Sequence, residues 1–112
     1  MTNSRRKGAT YEREVASELR AAGLTARRGQ QYSGANGDSD VICEELPGIH
    51  LELKRRKQYI SAADLYSFMD QAKGDARPGQ KAVVIHRIDG QKSLATMQLE
   101  EWIALAKEGE KR

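Results

Sequence analysis

The sequence is poor in the residues and runs that mark secreted or membrane proteins. It has one cysteine, Cys43, so no internal disulfide can form, which is typical of a reducing compartment. It has only two prolines, one Phe, one Trp and four Tyr, which argues against a large aromatic core. No apolar stretch is long enough for a signal peptide or a membrane span. We therefore expect a cytoplasmic protein with no membrane partner.

Charged residues are abundant by contrast. They make up 31% of the 112 residues, against 38% for hydrophobic ones, so the chain can bury a modest core. This length fits one compact domain. We expect residues 1–8, which are polar and basic, to form a mobile arm, and residues 9–112 to form a single domain.

The basic residues are clustered along the chain. The net charge is only +3, but the isoelectric point is about 9.1. Three clusters stand out, at residues 5–7, 27–28 and 54–57. This pattern makes nucleic acid a partner worth testing, whereas each cluster taken alone is better explained as an ordinary solvated surface.

Hydrophobic periodicity predicts alternating helices and strands. Apolar residues recur at helical spacing from Thr10 to Ala22, before a capping Gly23, and again after Ser61, a favourable N-cap. The turn Leu46-Pro47-Gly48 separates two strands and predicts an antiparallel hairpin. The expected elements are a helix at 10–22, strands at 24–28, 40–45 and 49–54, a helix at 62–74, strands at 81–88 and 92–97, and a helix at 99–109.

Charges interrupt the predicted hairpin. Asp40 directly precedes the apolar run 41–43, and strand alternation places Glu52 and Lys54 on one face of the next strand, with His50. Neighbouring carboxylates repel each other and are costly to desolvate unless a cation or a shared proton compensates them. Oxygen ligands suit Mg²⁺ or Mn²⁺, whereas the numbers and spacings of His and Cys that zinc prefers are absent from the chain.

These residues carry a resemblance. Asp40, followed by Glu52-Leu53-Lys54, resembles the D…(D/E)xK signature of the PD-(D/E)xK nuclease superfamily, with Ser39 in the place of the signature's proline. The segment "KGATYERE" resembles the opening "KGxxxER" of archaeal-type Holliday junction resolvases. The segment "GLTARRGQQYSG" resembles the part of these enzymes that leads through a basic strand to a Ser-Gly loop.

The resemblance implies an α/β fold, restriction-endonuclease-like, with a mixed central β-sheet flanked by α-helices. It implies a Mg²⁺-dependent endonuclease, with Mn²⁺ as a substitute, that resolves four-way DNA junctions by symmetric nicking in DNA recombination and repair. Because a four-way junction has approximate two-fold symmetry, a homodimer of archaeal or phage type would serve it.

The resemblance also assigns residues. Glu12, Asp40 and Glu52 would be the metal-binding carboxylates, and Lys54 completes the catalytic set. The archaeal pattern has a glutamine in the later helix, and this chain departs from it by having Asp64 near that position. Gln71 matches the pattern of phage-type relatives better, and the role of Gln71 stays open. The predicted DNA contacts are Arg5, Arg6, Lys7, Arg13, Arg27, Arg28, Ser33, Arg55 and Arg56.

Other interpretations stay open. Glu52 and Lys54 would be an exposed ion pair if they have no catalytic role, and Asp38 competes with Asp40 as a ligand. Glu12 is also explained by the helix dipole, if it lies in a first helical turn. His50 is interpreted as a structural residue or a phosphate contact, and Trp102, in the last predicted helix, as part of the core or of a subunit contact.

Function has alternatives as well. Lys54 beside carboxylates serves best as a cation that orients water and stabilises the transition state, and a general-base role is the alternative. The substrate is alternatively a flap, a nick or a duplex end. A non-catalytic DNA-binding module is the rival of a different class.

Overall fold

The computed structural model describes residues 2–29 and 39–110, with side chains described from residue 8 onward. Helices and strands occur in the predicted order, and the weak strand before the last helix is present. The elements are α1 (Thr2–Ala21), β1 (Ala26–Arg28), β2 (Val41–Cys43), β3 (Ile49–Arg56), α2 (Ala62–Asp75), β4 (Lys81–Ile88), β5 (Leu94–Thr96) and α3 (Leu99–Glu110).

The strands form one mixed sheet in the order β1-β2-β3-β4-β5. The pairs β1–β2, β2–β3 and β4–β5 are antiparallel, so the predicted hairpin is confirmed. The pair β3–β4 is parallel, because helix α2 crosses over between these two strands. The crossover places α2 directly over the face of β3 that carries the predicted site.

Helices cover both faces of the central strands. On one face Tyr11 and Val15 of α1 pack against Leu51 and Leu53. On the other face Phe68, Met69 and Ala72 of α2 pack against Ala82 and Val84 of β4, which share that face with His50 and Glu52. The first half of β3 is therefore buried on both sides, and its polar residues His50 and Glu52 lie inside the protein.

Local signals in the sequence fix the start of α2 and the end of α1. Ser61 accepts a hydrogen bond from the backbone N–H of Asp64, and the Asp64 carboxylate accepts one from the backbone N–H of Ser61, which makes a complete capping box. Gly23 has φ 97°, a left-handed conformation that ends α1 without the steric cost of a Cβ. Asp64 thus has a structural role.

Helix α1 begins earlier than predicted. It starts at Thr2 rather than near Thr10, so residues 2–8, expected to form an arm, are helical in the structure. The segment carries no apolar periodicity, which is why the sequence pattern did not show these first turns. Glu12 is therefore well inside α1, and the helix-dipole explanation for it is wrong, since that effect is confined to the first turn. The extent of the single domain stays a prediction.

Helix α3 lies on the surface. It has no buried residue, and Trp102 is 56% exposed, so the interpretation of Trp102 as a core residue is wrong. Among the described residues, no helix has both the length and the apolar character needed to cross a membrane.

Candidate active site

Glu52 is the centre of the candidate site. It is 5% exposed on the face of β3 that α2 covers, and it is the register partner of Val84. Its Oε1 lies 3.1 Å from Nε2 of His50, and its Oε2 lies 3.8 Å from Nζ of Lys54. Because Glu52 is buried, the interpretation of Glu52 and Lys54 as an exposed ion pair is wrong.

Asp40 lies at the entry of β2, beside β3. Its Oδ2 accepts a hydrogen bond of 2.8 Å from the backbone N–H of Leu53. Burial, together with the negative charges of Glu52 and Glu12, raises the pKa of Asp40 to about 6 against the opposing effects of the Leu53 N–H and Lys54. The charges of Glu12, Glu52 and Lys54 therefore all act on Asp40 in the fold.

Glu12 reaches this region from α1. Its side chain is 15% exposed, and its Oε1 accepts a hydrogen bond of 2.9 Å from Nε of Arg28, on β1. The ion pair joins the helix to the edge strand of the sheet. It also places an acid of the predicted catalytic set against a residue of the predicted DNA surface.

Lys54 is held between an acid and an aromatic ring. Its side chain is 23% exposed, and Nζ lies 5.4 Å from the centroid of the Phe68 ring, on α2. The guanidinium of Arg56 lies 5.1 Å from the same centroid. Contacts of a cation with an aromatic face are favourable and restrict the cation's orientation.

The predicted DNA contacts differ in how they are placed. Arg27, Arg28 and Arg56 are exposed, Arg13 is exposed on α1, and Arg55 is partly buried with its Nε donating to Asp89 at 2.9 Å. Gln71 is exposed on α2, and the structure gives it no further role. The predicted contacts Arg5, Arg6 and Lys7 lie in α1, and their side chains are not described. Ser33, and Asp38 as the alternative ligand, lie outside the described residues.

The sequence interpretation did not anticipate a second group around Glu52. Among residues 2–29 and 39–110, the potential metal ligands whose ligand atoms lie within 4.8 Å of one another are His50, Glu52 and Asp75. Ser39 adds its Oγ, 3.0 Å from Nδ1 of His50. Glu12, Asp40 and Glu52 are not gathered this closely as a set. No spacing along the chain could have indicated Asp75, because only the packing of α2 brings it to β3.

Comparisons with known proteins define the fold. Neither a scan against protein-family models nor a search of curated proteins found a match. Among solved structures, the chain is similar to Hjc, a Holliday junction resolvase from the archaeal hyperthermophile Archaeoglobus fulgidus, with a TM-score of 0.52 and 24% sequence identity over 81% of this chain and 72% of that one. The α/β fold with a mixed sheet flanked by helices, which the sequence resemblance implied, is therefore the fold of this chain.

Proposed function

We propose that this chain is a metal-dependent endonuclease that cleaves four-way DNA junctions by symmetric nicking. The observation that supports this most is the convergence of acids. Burial and the charges of Glu52 and Glu12 raise the pKa of Asp40 to about 6, next to Lys54 and in a fold shared with a Holliday junction resolvase. Such a group of acids destabilises the folded protein, so its presence is best explained by chemistry that uses it.

The acids fit a divalent cation. The ligands that Mg²⁺ prefers are oxygens, and the carboxylates of Glu12, Asp40 and Glu52 offer them. A bound cation would compensate the negative charges of Glu12 and Glu52 that raise the pKa of Asp40. We propose that these three residues hold Mg²⁺, for which Mn²⁺ would substitute. When bound, the ion would supply charge stabilisation at the scissile phosphate and a more acidic water.

The protein's own residues supply orientation and further charge. Lys54, fixed between Glu52 and the Phe68 ring, is placed as a cation that orients the attacking water and stabilises negative charge in the transition state. A general-base role for Lys54 is the alternative. Arg28 would hold the DNA backbone at the edge of the site, since its pair with Glu12 puts it next to the acids.

Cleavage assays test this function. Labelled four-way, flap, nicked and linear duplex DNA are incubated with the protein in Mg²⁺ or in EDTA. We expect the four-way junction to be cut in Mg²⁺ only, with paired nicks at symmetric positions. Preferred cleavage of flaps, nicks or ends would show that this DNA, and not the four-way junction, is the substrate. Binding of DNA without cleavage of any substrate would favour the non-catalytic DNA-binding module.

The basic surface gives a prediction on binding. Replacing Arg27 and Arg28 together by Gln removes two exposed cations, and we expect weaker junction binding and a log–log salt slope lower by about 0.9 per lost phosphate contact. Binding is measured in EDTA over a series of salt concentrations. Lys107→Gln, on α3, is the control of matched chemistry and should leave the slope unchanged. If the salt slope of junction binding is unchanged in the double variant, Arg27 and Arg28 do not contact the DNA.

The junction's symmetry calls for two copies of the site, and we propose that this chain acts as a homodimer. Helix α3 has 12 residues and buries none of them, although helices this short are marginal on their own. Five large apolar side chains of α2, β5 and α3 are 43–76% exposed: Tyr66, Leu94, Leu99, Trp102 and Ile103. Three of them, Tyr66, Leu99 and Ile103, line one open pocket, and we name the five together the α2–α3 face. A second copy packed on this face would bury them.

Sedimentation measures the proposed dimer. Trp102→Glu places a charge in the α2–α3 face and should convert the dimer to a monomer, because an interface core excludes unpaired charge. Leu46→Glu is the matched control, since Leu46 is also exposed, at 44%, but lies in the turn between β2 and β3. A monomeric wild-type protein, or a dimeric Trp102→Glu variant, would contradict the proposed interface.

A further inference from the structure

The group behind Glu52 brings together ligands from two elements. His50 and Glu52 come from β3 and are 3% and 5% exposed, and Asp75 comes from the last turn of α2 and is partly buried. One ligand atom from each of the three side chains lies within 4.8 Å of the other two. A strand and the helix that follows it in the chain thus bring three potential ligands close together.

A cavity leads to this group. It has a volume of about 250 Å³, and Ser39, His50 and Asp75 contribute to its lining. A volume of this size accommodates several waters, each of which takes about 30 Å³ in the liquid. A hydrated ion therefore has space to approach His50 and Asp75 without opening the core.

The distance between the first two ligands suits a bound ion. His50 Nε2 and Glu52 Oε1 are 3.1 Å apart. Two ligands bound to one ion at zinc's usual bond lengths, about 2.0–2.2 Å, would be roughly 2.8–3.6 Å apart at right to tetrahedral angles. The same distance also suits a hydrogen bond, so the space between His50 Nε2 and Glu52 Oε1 fits either a shared proton or a metal ion.

Ser39 contacts the ring nitrogen of His50 that faces away from Glu52. Its Oγ lies 3.0 Å from Nδ1, and both groups are buried. A histidine that binds a metal usually donates its other N–H to a neighbouring acceptor, which orients the ring. When Nδ1–H donates to Ser39 Oγ, the lone pair of Nε2 faces the Glu52 oxygen, and a cation between them removes the repulsion of two acceptors.

We propose that His50, Glu52 and Asp75 form a binding site for a divalent transition-metal ion, with Zn²⁺ as its preferred occupant. The sequence has no His and Cys spacing typical of zinc, but the fold brings one imidazole to two carboxylates, and all three are ligand types that zinc takes. Mg²⁺, by contrast, takes oxygen ligands almost exclusively. The site is thus chemically distinct from the proposed magnesium site, although the two share Glu52. It does not depend on the proposed nuclease activity.

Calorimetric titration of metal-free protein with Zn²⁺ tests the site. We expect one Zn²⁺ to bind per chain, and Asp75→Asn and His50→Gln each to weaken its binding at least about tenfold, the loss typical even of indirect partners of a metal. Mg²⁺ in the same titration should not displace it. Asp70→Asn, an exposed acid on α2, and His86→Gln, a buried histidine on β4, are the matched controls and should bind like the wild type.

Two results would overturn the proposal. If Asp75→Asn binds Zn²⁺ with wild-type affinity, helix α2 contributes no ligand to the site. Loss of binding in Cys43→Ser, with Asp75→Asn unaffected, would assign the ion to the buried thiol instead. If His50→Gln does not fold, as shown by circular dichroism, Asp75→Asn and the milder Ser39→Ala decide the result, and Ser39→Ala should also weaken Zn²⁺ binding. All of these titrations omit DNA, so their outcome is independent of cleavage.

Discussion

Replacing Glu52 by Gln, or Asp40 by Asn, is expected to lower the cleavage rate of four-way junctions in Mg²⁺ by at least about a thousandfold. Both changes keep the size of the side chain and remove a charge that a hard cation requires. Metal-assisted charge stabilisation contributes several kcal/mol to barrier reduction, and each 1.36 kcal/mol is about a factor of ten in rate. Single-turnover cleavage of a labelled junction measures this loss.

Binding separates loss of chemistry from loss of structure. In EDTA or Ca²⁺, both variants should bind the junction as tightly as the wild type or more tightly, because a negative charge near the phosphates is removed. Glu44→Gln, an exposed acid in the turn after β2, is the control and should cleave normally. Near wild-type cleavage by Glu52→Gln or Asp40→Asn, with the same products, would show that the proposed metal site is wrong.

Asp40→Asn should also stabilise the metal-free protein, and the gain should depend on pH. The Asp40 pKa is about 6 in the folded protein against 3.8 for an unperturbed aspartate. Since the folded state binds this proton more tightly, the stability contributed by protonated Asp40 is fully present below about pH 4 and is lost as the pH rises to about 6. A shift of this size corresponds to a loss of up to about 3 kcal/mol, which the Asn variant would avoid.

Urea unfolding of both proteins in EDTA measures this effect. The difference in the free energy of unfolding between Asp40→Asn and wild type should grow between pH 4 and pH 7 and then stay constant. Asp70→Asn, an exposed replacement of the same chemistry on α2, should show no such growth. If Asp40→Asn is less stable than wild type at pH 8, the carboxylate is stabilised by contacts that outweigh burial and repulsion.

The sequence predicted the sheet and most helix ends because these depend on local signals. The alternation of residues 49–54 between the two faces of β3, the Ser61 N-cap and the Gly23 cap act within a few residues, and each is present in the structure. Helix α1 was predicted too short because residues 2–8 have no apolar periodicity. The burial of Glu52 could not be predicted from alternation alone, since it depends on α2 covering that face of β3.

The candidate site likewise has one part that could be predicted from the sequence and one part that could not. Asp40, Glu52 and Lys54 are close in the chain and on paired strands, so their proximity could be predicted. Asp75 comes from the end of α2, and only the parallel crossover to β4 places it near His50. Contacts made through tertiary packing leave no spacing signal in the sequence, which is why the group with His50 became visible only in the fold.

The two edges of the sheet are short. The outermost strands, β1 and β5, have three residues each, while the central strands β3 and β4 have eight. Long unpaired edges recruit strands from other chains and promote aggregation, and short edges are one way in which proteins avoid it. Each edge of this sheet, as far as the described residues form it, offers three residues for backbone pairing, so fibre-like growth by strand addition has little template to start from.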